Sequence, residues 1–171
     1  MEVGIHSVGE VPFMATAEFL DLTKLYERDE TAWLEAMSAL AAQGLHKEMD
    51  FRHLSEYLAD MARRDRREVF SRLVVLMSHL LKWERQAEHR SGSWRGTIRE
   101  QRRELRQLLE SRTLRNHALA VLTDAYAEAR RQAADETELS LNVFPAEDAR
   151  DLDEWLAEPE AEQDATAESN E

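Results

Sequence analysis

The chain has no cysteine, five glycines and three prolines among its 171 residues. The missing cysteines exclude disulfides, thiolate-held zinc, iron–sulfur clusters and a thiol nucleophile together, and they suit a reducing compartment. With so little glycine there is no Gly-rich phosphate loop and no G-x-G-x-x-G, so a nucleotide-binding α/β fold is disfavoured. G-x-S-x-G and H-E-x-x-H are absent too, which leaves a strained-elbow serine and a helical zinc protease site without residues. Long apolar runs are lacking: LVVLMSHLL (73–81) is nine residues long and closed by Arg72 and Lys82, whereas a bilayer needs about 20. The opening MEVGIHSVGEVPFMATAEF has neither a basic start nor an apolar core, so no signal peptide and no membrane association are expected; the chain reads as cytoplasmic.

Positive charge is nearly missing from one end. Residues 135–171 hold 14 acids and a single base, Arg150, and account for the entire net charge of −13. Residues 1–134 are formally neutral, with 21 bases and 21 acids, yet residues 63–106 hold 13 bases against 6 acids. Such asymmetry points to an interaction surface or tail, or to the plainly solvated faces of a helical domain. At 43% hydrophobic and 33% charged, the chain is long enough for one domain with a real core.

The apolar spacing is helical throughout, and no stretch alternates with period two. Residues 1–15 read as a loose, flexible arm. A helical pattern starts at Thr16, with Phe19, Leu22 and Tyr26 on one face. Asp29 is placed to cap a helix carrying Trp33, Leu34, Met37 and Leu40, which Gly44 ends. Another helix begins near Asp50, with Leu54, Leu58 and Met61 as its apolar face, and meets the charged run RRDRRE, where it continues or kinks. Residues 68–85 are apolar on more than one side (Phe70, Leu73, Val74, Met77, Leu80 and Leu81; Val69, Leu76 and Trp83), as expected of a central helix. Ser91-Gly92-Ser93 is a break, with Ser93 the expected N-cap of a helix through Trp94, Ile98, Leu105 and Leu108. A fifth helix carries Leu114, Ala118, Val121, Leu122, Ala125 and Ala129 and runs to about Thr137. A turn, LSLNVFP, leads to an acidic amphipathic helix at 146–157 bearing Leu152, Trp155 and Leu156. Residues 158–171 have no large apolar side chain and read as a disordered acidic tail. The expected fold is all-α: a single bundle of about five helices, with a short C-terminal helix and the tail.

Four ordered strings carry a resemblance: LYERDETAWLE (25–35), MDFRHLSEYLADM running on through RLVVLMSHLLKW (49–83), SWRGTIREQRREL (93–105) and AYAEARRQAADETELSLNVFP (125–145). Over roughly residues 22–156 the chain resembles the bacterial proteins grouped as domain of unknown function family 29 (DUF29). The resemblance implies an all-helical domain, here at 16–145, in a bacterial protein with no established activity. In HLSEYLADM the family pattern commonly has a second acid where this chain has Tyr57, which weakens a paired-carboxylate site there.

Three constellations carry candidate chemistry. His53, Glu56 and Asp60 fall at i, i+3 and i+7, so one helix face presents an imidazole and two carboxylates to a divalent ion; the plainer reading is a polar face opposite Leu54, Leu58 and Met61. His79 lies inside the most apolar run, as a base or, more plainly, as a core histidine bonded to a carbonyl or carboxylate. Arg95, Arg99, Arg102 and Arg106, with Arg103 beside them, line up about 5–6 Å apart along one helix, and guanidinium forks suit carboxylates and phosphates alike. Arg63, Arg64, Arg66 and Arg67 join that patch if the helices pack side by side. The acidic segment 147–154 competes for the stripe from within the chain, anchored by Leu152, Trp155 and Leu156. The functional expectation is a non-catalytic protein-binding, adaptor or regulatory module with a protein partner, no cofactor and the arginine stripe as its contact. The alternatives are a nucleic-acid binder whose acidic tail competes for its basic face, and a metal-dependent enzyme built on His53, Glu56 and Asp60.

Overall fold

The structure, a computed structural model, describes residues 21–158. The expected arm at 1–15, Phe19 and the tail beyond Glu158 lie outside the described residues. Every regular element among those described is helical, as expected: α1 (Leu22–Arg28), α2 (Glu30–Ala42), α3 (Phe51–Arg85), α4 (Gly92–Leu108), α5 (Arg112–Thr137) and the short α6 (Leu152–Leu156), with three single turns of 3₁₀ helix between them. None of these helices is long and apolar enough to cross a membrane.

Local chemistry sets the helix ends. Asp21 and Asp29 accept the N–H groups of Lys24 and Ala32 at 3.2 and 3.0 Å, satisfying first-turn donors of α1 and α2. Gly44, at φ +72°, ends α2 in the left-handed conformation that a residue without Cβ adopts freely. The α4 cap is Ser91, not Ser93: its Oγ accepts the Trp94 N–H at 3.3 Å. Both serines have the chemistry, and capping from the earlier one leaves Ser93 in the first turn, where its N–H requires no helical partner.

Helical structure continues through the charged run of α3. No glycine or proline interrupts residues 51–85, Arg is a good helix former, and Asp60–Arg63 and Glu68–Arg72 are paired along the surface. Residues 61–68 are exposed on all sides.

The described residues fall into two compact units that divide between Leu58 and Ala59. The first is built on aromatics: Trp33 is buried, Tyr26 meets it edge-on at 4.9 Å, and Tyr57 lies 5.9 Å away. Here α3 turns inward through His53, 4% exposed and stacked on Tyr26 at 4.5 Å. Of the expected apolar face, Leu54 is half-buried, whereas Leu58 is 56% exposed and Met61, just past the boundary, is 43% exposed. An imidazole can take the inner position because Asp50 and Arg52 satisfy both ring nitrogens.

The second unit holds the main core. Val69, Leu73, Leu76, Met77 and Leu81 of α3 pack with Ile98 and Leu105 of α4 and with Ala118, Ala125, Ala129 and Ala133 of α5. The small alanines line the α5 side of this core, and Phe144, Leu152, Trp155 and Leu156 complete the cluster from the C-terminal segment. Lys82 of α3 is 3% exposed, paired with Glu136 of α5 and 5.2 Å from the Trp94 ring of α4, so one buried cation ties three helices.

Candidate functional site

The arginine stripe of α4 is set by helical spacing, and its members have different surroundings. Arg95 is exposed, its guanidinium 5.6 Å from the Trp83 ring. Arg99 is exposed, and Arg103 bonds Glu104 through Nε and Nη2 at 3.2 and 2.7 Å. Arg102 is 5% exposed, with Nε donating to the Trp155 carbonyl at 3.4 Å. Arg106 donates through Nη2 to the Leu156 carbonyl at 2.8 Å and through Nη1 to Glu158 at 3.0 Å.

Two of the five arginines therefore grip α6. The last carbonyls of a helix have no intrahelical donor and carry the negative end of its dipole, so guanidinium groups there are favourable. At the opposite end Asp151 and Glu154 form a capping box: Asp151 accepts the Glu154 N–H at 2.8 Å, and the Asp151 N–H donates to the Glu154 carboxylate at 2.7 Å. From α5, Arg115 Nη2 reaches both Asp153 oxygens, at 2.8 and 2.7 Å. Leu152, Trp155 and Leu156 face the core, and a shallow hollow of about 370 Å³ opens beside them, where Arg106 and Arg115 stand with the acids Glu110 and Asp153 around Leu109, Leu156 and Ala157.

The approach to α6 is strapped down as well. Arg130 donates to the carbonyls of Phe144 and Leu141 at 3.0 and 3.1 Å, and the Tyr126 hydroxyl donates to that of Pro145 at 2.8 Å. Arg150 lies over the Trp155 ring at 3.6 Å and bonds Asp148 and Glu84, both at 2.7 Å. Hydrogen bonds from Arg150 hold the Asp148 carboxyl below its usual range despite partial burial. Arg115 and Arg150 were missed in the sequence reading, although Arg150 is the only base among the last 37 residues.

The metal candidates are not brought together. His53 is buried in the first unit, Glu56 is exposed and Asp60 is paired with Arg63. Guanidinium has no acceptor, so the 2.7 Å contact between Arg52 Nη2 and His53 Nε2 makes Nε2 the acceptor. The ring proton then sits on Nδ1, 2.5 Å from Asp50 Oδ2. Burial pushes the Asp50 carboxyl up, but the His53 ring and backbone N–H outweigh it and hold it below its usual value. Among the described residues no group of three or more His, Asp and Glu side chains is arranged for a metal ion. His79 is half-buried, and its Nδ1 donates to the Val75 carbonyl at 2.9 Å. Burial, and more weakly the charge of Lys82, push its pKa below the ordinary 6.5.

A family model described as "Domain of unknown function DUF29" matches residues 25–159. No curated protein and no solved structure matches the chain.

Proposed function

We propose, for a chain that belongs to the DUF29 family, a non-catalytic protein-binding or regulatory module whose contact surface is the arginine-bearing face of α4 and the adjoining start of α5. One observation carries the reading: Arg102, Arg106 and Arg115 hold an acidic helix, by its terminal carbonyls and by its Asp153 carboxylate. The surface thus has the chemistry of an acidic-helix receptor. Arg99 and Arg103 extend it outward as exposed cations. The two histidines weighed for catalysis are committed to structure, His53 to Asp50 and Arg52, His79 to Val75.

The test is capture from the native host with the tagged full chain and with Arg99→Glu/Arg103→Glu. The eluate is read by mass spectrometry and by its 260/280 nm absorbance ratio. A protein retained by the wild type and lost from the double variant is the expected result. Nucleic acid in the eluate, held through the exposed Arg63, Arg64, Arg66 and Arg67 of α3, would replace this reading with the polyanion-binding one.

A further inference from the structure

We infer that the seat of α6 is a recognition site for an acidic helix presented by a partner protein, and that residues 151–157 occupy it as a built-in competitor. The inference rests on the protein-binding reading above and gives the partner its chemistry: a helix with the spacing of L-D-E-W-L, carboxylates in its first turn and a Leu and a Trp facing inward.

The seat reads features that a partner helix can supply. Arg102 and Arg106 bind main-chain carbonyls at the helix end, which any helix offers. Arg115 selects for a carboxylate in the first turn, and the apolar floor takes the leucines and the tryptophan. Affinity thus comes from the main chain, selectivity from charge and three apolar anchors.

The resident helix is short and takes its conformation from its seat. Five residues is below the length at which a helix forms unaided, so α6 keeps its conformation only while docked, assisted by its capping box. A partner helix already folded within its own protein loses less conformational freedom on docking. Against this, α6 is tethered, and tethering over a short linker is equivalent to roughly millimolar concentration. The seat is therefore closed to weak ligands and open to strong ones.

The experiment titrates a fluorescein-labelled peptide of residues 146–160 into the full chain and into full-length Asp153→Arg/Glu154→Arg. Both substituted side chains are exposed; their replacement removes the Arg115 bridge and half of the capping box without touching Leu152, Trp155 or Leu156. The variant is expected to keep its far-UV circular dichroism and to bind the peptide roughly tenfold or more tightly than the wild type. Adding Arg115→Glu abolishes that gain, and a peptide carrying Asp153→Lys restores it. A helical variant with no gain overturns the inference, because α6 is then a fixed part of the fold. A variant that unfolds overturns it equally, because the seat must stand while α6 is absent. Failure here with partner capture through Arg99 and Arg103 intact removes this inference alone. Loss of that capture removes the reading beneath it.

Discussion

Arg106 donates to the main-chain carbonyl of Leu156 at 2.8 Å, across 50 residues of sequence. The contact joins the basic stretch of the chain to its acidic end, and it uses the peptide backbone, so it depends on α6 being helical and in place. The charge asymmetry of the sequence is thereby partly resolved within the molecule, with Arg115 and Arg150 taking up carboxylates of the same segment.

Replacing Arg106 by Ala leaves the Leu156 carbonyl without that donor. Hydrogen bonds from charged groups contribute about 1.5–3 kcal/mol when buried, and Arg106 is nearly half exposed, so the expected loss is about 1 kcal/mol. That corresponds to a fall of roughly 2–4 °C in Tm for a chain of this size. Thermal unfolding followed at 222 nm checks it, and an unchanged Tm would show the contact to be idle.

The pH dependence has a definite sign. Folding lowers the pKa of His79 below 6.5, chiefly through burial. For Glu136, burial pushes the carboxyl up, but hydrogen bonds from Lys82 and Gln132 bring it below 4.5. In both cases the unfolded chain takes up protons first, so stability is full above pH 6.5 and declines as pH falls. Denaturant titrations of His79→Gln should show a weaker decline between pH 6.5 and 5 than the wild type, and the same slope nearer pH 4, where the carboxylates act. Identical slopes at every pH would contradict the assignment.

How much of this was readable in advance depended on how local the signal was. Asp29, Gly44 and the end of α5 at Thr137 act through their own turn, and they stand where the spacing put them. The amphipathic pattern of Leu152, Trp155 and Leu156 likewise sufficed to expect a helix there, but not its extent: only Leu152–Leu156 of the expected 146–157 is helical. Ser91 and Ser93 were indistinguishable because both satisfy the same chemistry. The inner face of α3 near His53 was misread because Leu58 is the better hydrophobe, yet Trp33 and Tyr26 supply a stacking surface that an imidazole fits once Asp50 and Arg52 bond it. Arg115 and Arg150 gain their meaning only when α5 and the C-terminal segment meet, a distance in sequence that no local pattern spans.

Glu138 closes α5 at φ 58°, in the left-handed region where a side chain costs about 1 kcal/mol or more. Glu138→Gly should therefore raise stability by roughly 0.5–1 kcal/mol despite the greater freedom of the unfolded glycine chain. Equilibrium urea unfolding measures it; destabilisation would mean that the carboxylate has a role beyond the cap.

The His53 ring carries its proton on Nδ1, facing Asp50, and accepts from Arg52 at Nε2. Ring ¹⁵N spectra of the full chain should show that single tautomer, and one equivalent of Zn²⁺ should leave both nitrogen shifts unmoved. A shift or broadening on adding zinc would return His53, Glu56 and Asp60 to consideration as ligands.

Departure of α6 from its seat while α4 and α5 stay folded is read by residue-resolved amide hydrogen exchange of the full chain. The backbone amides of Trp155 and Leu156 should exchange through a local opening at a free energy clearly below that of the Leu105 and Ala125 amides, with the gap narrowing in denaturant. Exchange of all four at one common free energy, in a single global unfolding event, would contradict it.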